Sequence, residues 1–175
     1  MRIIQIIDSL EVGGAERIAV NYANALAEKI EFSGLVATRK EGPLLNQMDQ
    51  NVSYLFLNKK GTIDFAAIFR LRKYVTENKV TIIHAHATSF FTAVLLKIVA
   101  PQIDIIWHDH YGARVNDTRN NNFILFLSSF FFSAIFVVNL QLQAWALKTL
   151  LTKKVFYFPN FAMSDIHVPK ETFLK

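Results

Sequence analysis

The chain has 175 residues, 52% of them hydrophobic and 19% charged, with a net charge of +5 and no cysteine. This composition excludes a disordered segment, a disulfide-stapled module, a thiolate metal site and a thiol nucleophile. The basic excess is scattered, with no dense block and no nucleic-acid motif; it suits an anionic ligand or membrane surface and argues against nucleic acid as a partner.

The length favours one domain with a sizeable core. The opening apolar run, RIIQII, predicts a strand over Arg2 to Ile7. It is too short for a secretory signal and ends at Asp8. Together with the missing cysteines, this fits a cytoplasmic protein. The stretch EVGGAER follows, and Ile18, Tyr22, Ala25, Leu26 and Ile30 recur at helical spacing, which predicts a helix over Gly14 to Lys29. Further strands are expected at Ser33 to Thr38, Ser53 to Leu57, Thr81 to Ala85, Asp104 to His108, Ile135 to Val138 and Val155 to Phe158. Helices are expected between them at Leu44 to Asn51, Ile63 to Asn78, Thr88 to Val99, Arg119 to Phe132 and Leu140 to Leu151.

Several of these strands lack a polar face, as parallel strands buried on both sides do. Alternating strands and helices predict an α/β fold: a Rossmann-like, doubly wound parallel sheet of about seven strands with helices on both faces. The apolar segment Phe123 to Val138 is short for a membrane span and divides into a helix and a strand. In its Phe130 to Phe132 run, the three rings cannot all face one way on a helix. The segment Phe65 to Val75 mixes Arg70, Arg72 and Lys73 with apolar and aromatic residues; such a helix packs on a core or lies against an anionic membrane.

In a parallel sheet the polar residues that follow each strand share one edge, and open α/β sheets bind ligands there. That edge should carry Asp8, Ser9, Gly13, Gly14, Arg39, Lys40, Lys59, Lys60, His84, His86, His108, Asp109, His110 and Asn139. Adjacent glycines at a strand-to-helix junction serve a tight turn or the close approach of another group. Gly13 and Gly14 would place a helix N-terminus against an anion such as phosphate, although neither the full dinucleotide fingerprint nor a P-loop lysine is present. The pairs His84/His86 and His108/His110 have strand spacing, so each pair shares a face. Four histidines at one edge could bind zinc, or one imidazole could serve a reacting hydroxyl as hydrogen-bond partner or base. The others would be packed or supporting residues.

GGAER after the first strand, IIHAHA, IIWHDHYG, AIFVVN and VFYFPNF stand in this order over nearly the whole chain. Together they resemble the amino-terminal domain of the family 4 glycosyltransferases, one lobe of the two-domain GT-B fold. The resemblance implies a retaining transferase that uses a nucleotide sugar as co-substrate, acts on a sugar or lipid-linked acceptor in polysaccharide or glycoconjugate biosynthesis, and binds no cofactor and requires no metal. A peripheral contact at the inner face of the membrane is compatible with it. It places Gly13 and Gly14 near the donor phosphates and His110 at the transferred sugar as the catalytic residue, with His108 as the alternative. Glu16, Arg17, His86 and, in a mobile loop, Arg114 are expected on the acceptor side.

Three departures stand out. Asn139 replaces a common Ser, Phe161 replaces a common Gly after Pro-Asn, and the sequence ends at Lys175 without the second, donor-binding domain. Residues 1–160 are therefore expected to form the domain, and 161–175 a linker or tail toward a missing C-terminal domain. The chain alone is expected to be inactive. The alternative reading is a stand-alone Rossmann-like module that binds an anion or a partner without catalysis.

Overall fold

A computed structural model describes residues 1–116 and 122–159. Seven strands form one sheet, every neighbouring pair parallel: β1 (Arg2–Ser9), β2 (Phe32–Lys40), β3 (Ser53–Phe56), β4 (Ile82–His86), β5 (Asp104–Asp109), β6 (Phe132–Val137) and β7 (Val155–Tyr157). Their spatial order is β3-β2-β1-β4-β5-β6-β7. The chain winds one way from β1 and the other way from β4, so the switch point lies between those two strands. Helices α1 (Gly14–Ala27), α2 (Phe65–Glu77), α3 (Phe90–Val99), α4 (Phe123–Ser128) and α5 (Leu140–Thr149) connect them. The predicted doubly wound sheet is the observed one.

The two faces bury different residues because strand side chains alternate. Ile4, Ile6, Ile83, Ala85, Ile105 and Trp107 pack with α2, α3, α4 and α5 in the larger core. Ile7, Leu35 and Ala37 pack on the opposite face with Ala19, Val20 and Ala23 of α1. Two predicted helices are shortened. Leu44 to Asn51 is instead a 3₁₀ turn, Pro43–Gln47, of which only Leu44 is buried, so no apolar stripe exists to hold a longer helix. The segment expected to be helical to Phe132 leaves α4 at Ser128, passes a 3₁₀ turn over Ser129–Phe131 and enters β6 at Phe132. Phe132 is buried, with its ring centroid 5.6 Å from Trp107, whereas Phe130 is 73% exposed. Among the described residues no helix is long and apolar enough to cross a membrane.

Gly42 explains how the loops after β1 and β2 fit together. The Leu10 N–H donates to the Lys40 carbonyl and the Leu44 N–H to the Leu10 carbonyl, both at 3.1 Å. A Cβ on Gly42 would overlap the Leu10 carbonyl and the Glu11 nitrogen, which are backbone atoms with nowhere to retreat. Gly42→Ala should therefore destabilise the domain by about 2–3 kcal/mol, read from urea unfolding. An unchanged midpoint would mean that the two segments separate without loss.

Candidate functional site

The carboxyl edge gathers the residues the sequence placed there, in distinct environments. On the α1 face, the centre of the sheet is built of imidazoles rather than aliphatic groups. His84 and His86 of β4 lie beside His108 of β5, because the register sets His86 opposite His108. The ring centroids of His84 and His86 are 4.4 Å apart, those of His84 and His108 5.3 Å, and those of His108 and His110 4.0 Å. Tyr22 of α1 covers them, its ring 5.2 Å from His84. His84, His86 and His108 are buried, and burial, reinforced by the neighbouring imidazoles, holds their pKa values below the usual 6.5: His84 to about 3, His108 to about 2 and His86 well below. All three are neutral at pH 7.

A chain of hydrogen bonds orders this cluster. The Gln5 carbonyl oxygen lies 2.9 Å from His86 Nε2, and His86 Nδ1 lies 3.0 Å from His110 Nε2. A carbonyl oxygen only accepts, so Gln5 sets the proton on His86 Nε2. His86 Nδ1 then accepts from His110 Nε2, which fixes the plane of the His110 ring. His110 is half-buried, at the outer end of the relay. His108, the alternative sugar contact, is 1% exposed beneath it. His86, expected to shape the acceptor side, is wholly buried and reaches the surface only through His110. Gln5 escaped the sequence reading, although a lone amide in an otherwise apolar strand is the signal for such a partner.

One nitrogen from each of His84, His86 and His108 can be chosen so that the three lie within 4.8 Å of one another, a trio able to gather around a transition metal. Among the described residues, neither ring nitrogen of His108 has a hydrogen-bond partner, nor has His84 Nε2.

The glycine junction is open. Gly13 caps α1 in extended backbone, and no glycine adopts positive φ among the described residues, so the pair does not serve a left-handed turn. A Cβ on Gly14 would meet nothing within 4 Å, whereas one on Gly13 would meet the Glu16 carboxylate. Glu16 thus folds back over the positive end of its own helix. Arg17 is exposed beside it.

Arg114 stands in a 3₁₀ turn, Gly112–Asn116, committed to the protein rather than held out to an acceptor. Its Nε donates to Asp109 at 2.7 Å, its Nη1 donates to Asn122 at 2.9 Å, and the guanidinium stacks over Trp107 and Tyr111. Asp109 also accepts from the Tyr111 N–H at 3.0 Å, which pins the turn that carries His110. Asn139 caps α5 by accepting from the Leu142 N–H at 2.7 Å, a role that Ser fills equally, so this departure preserves the chemistry. Residues 160–175, including Phe161 and the expected linker, lie outside the described residues, as do 117–121 of the predicted mobile loop.

No curated protein matches the chain by sequence. Solved structures match it by shape. A glycosyltransferase from Rickettsia africae aligns with a TM-score of 0.64 and 12% identity over 90% of this chain and 42% of its own. Anabaena HepE, solved with UDP and glucose, aligns with a TM-score of 0.71 and 12% identity over 93% and 45%. MurG of Acinetobacter baumannii aligns with a TM-score of 0.60 and 14% identity over 93% and 47%. The chain spans less than half the length of these structures, as one lobe of a GT-B fold does. The model of Glycosyltransferase Family 4 matches residues 12–160, most of the sequence, and the chain belongs to that family.

Proposed function

We propose that this domain is the acceptor-side lobe of a retaining hexosyltransferase that moves a sugar from a nucleotide donor to a sugar or lipid-linked acceptor in polysaccharide or glycoconjugate assembly. The observation that carries this reading is the relay from Gln5 through His86 to His110. It fixes the orientation of the His110 imidazole at the ligand edge of the sheet. An imidazole held in one orientation suits a sugar hydroxyl, which needs a hydrogen-bond partner of fixed direction. Gly13 and Gly14 offer backbone N–H groups and the helix dipole to a donor phosphate, with Glu16 moving aside. A second lobe supplies the rest of the donor site, and this domain alone does not turn over. Anabaena HepE was solved with UDP and glucose, which favours the same ligand class here. Transfer requires no metal, and the enzyme works in the cytoplasm, with a peripheral contact at the membrane's inner face.

The test is the melting temperature of the chain against a panel of sugar nucleotides, with and without EDTA. A ligand that binds only the folded state raises it by mass action. One sugar nucleotide should shift it, EDTA should not matter, and Gly14→Leu should abolish the shift. The apo melting temperature of Gly14→Leu should stay unchanged, because the space around Gly14 is empty. A retained shift in Gly14→Leu removes the phosphate role. A shift that EDTA cancels makes the histidine trio a metal site and replaces the metal-free reading.

A further inference from the structure

On the opposite side of the same edge lies a cavity of about 580 Å³ that the histidine relay does not use. Its polar wall is Asp8, Arg39, Lys59 and Thr88, and its apolar wall is Phe90, Phe91 and Ile124. Lys59 is only 7% exposed. Its Nζ donates to Thr92 Oγ1 at 2.9 Å, and no carboxylate pairs with it among the described residues. A buried ammonium without a counter-ion is costly and calls for an anion. The nearby carboxylate, Asp8, is already engaged: it accepts from the hydroxyls of Thr38 and Thr88, and Arg39 Nε lies 3.9 Å away. The cavity therefore carries two cations against one satisfied carboxylate. Burial, then the charge of Arg39, pulls the Lys59 pKa below its usual value against the weaker opposing pull of Asp8 and Asp64, neither of which forms an ion pair with it.

We propose that this cavity binds an amphiphilic anion, a phosphate monoester carried on a hydrocarbon chain, with the phosphate on Lys59 and Arg39 and the chain along Phe90, Phe91 and Ile124. Its volume suits a phosphate and a chain of about ten carbons. Under the glycosyltransferase reading, on which this part rests, the same subsite holds the phosphate that joins the acceptor sugar to its lipid, with the second ester bond directed out of the cavity. The binding itself requires only the cavity.

The probe is geranyl phosphate, titrated calorimetrically into the full chain, with geraniol and inorganic phosphate as the apolar and anionic halves. Geranyl phosphate should bind saturably, and each half at least about tenfold more weakly. A charge-assisted hydrogen bond lost from Lys59→Met or Arg39→Gln should weaken it by about tenfold to a hundredfold. The Arg39 side chain is 44% exposed, so Arg39→Gln tests the site without a folding cost. Geraniol binding as tightly as the phosphate, inorganic phosphate binding as tightly as the amphiphile, or folded variants of unchanged affinity would each overturn the proposal. Because no sugar nucleotide is present, loss of the donor-dependent melting shift with this binding intact counts against the transferase reading alone.

Discussion

Acidification from pH 7 to pH 5 should strip this domain of most of its stability. The unfolded chain holds histidines of ordinary pKa, about 6.5. The folded chain holds His84 near 3, His108 near 2 and His86 well below its ordinary value, first because burial penalises the charged ring and then because neighbouring imidazoles repel it. Between those values and 6.5 the unfolded state binds protons that the native state refuses, so stability rises with pH in that window. The stabilising contribution is complete above the unfolded value and is lost as the pH falls toward the folded ones.

Each such histidine costs about 1.4 kcal/mol per pH unit well below 6.5, and three together about 4. Integrated from pH 7 to pH 5 the three lose about 6 kcal/mol, most of the stability of a domain toward the lower end of the usual range of about 5–15 kcal/mol. Urea midpoints between pH 5 and pH 8 measure this. His84→Leu should flatten the slope by about a third. A level profile would mean that the rings take up protons while folded, which requires water or an ion among them. The same burial that makes the fold acid-labile keeps His86 neutral at pH 7, and a neutral His86 is what fixes the proton on His110.

Much of this was legible from residue order. Parallel strands covered on both faces read as apolar runs, and RIIQII, IIHAH and DIIWHD each announced one. Strand spacing put His84 with His86, and the shared edge followed from the alternation of strands and helices. The stacking of four rings required one further fact, the register of β4 against β5, which belongs to tertiary structure. Helix ends failed where packing overrode local preference: Phe132 leaves its helix because Trp107 and Phe90 offer its ring a buried place. Lys59 and Arg39 were expected at the edge, but the cavity joining them depends on α3 and α4, whose approach no local pattern records. Arg114 misled because a polar stretch suggests a mobile loop, whereas the partner that orders it, Asp109, sits on the adjoining strand.

That pairing supports the second large effect. Arg114→Met should lower stability by about 3–5 kcal/mol, because it takes a hydrogen-bonded guanidinium away from a carboxylate in the interior. The Asp109 side chain is 1% exposed and that of Arg114 14%, so water cannot replace the guanidinium. The melting temperature should fall by about 10 °C. Adding Asp109→Asn to Arg114→Met should recover much of the loss, because the double variant buries no unpaired charge, and the double-mutant cycle isolates the coupling. If Arg114→Met melts as the wild type does, the Tyr111 N–H and the other neighbours of Asp109 balance it unaided. The pair also fixes the position of His110: Asp109 stands between His108 and His110 in sequence and holds the backbone of the turn after them. Under the proposed function, a two-lobe enzyme carrying the partly rescued Asp109→Asn/Arg114→Met domain should therefore transfer sugar more slowly than wild type, with the deficit in kcat, since the double variant restores folding without restoring the clamp that aims His110.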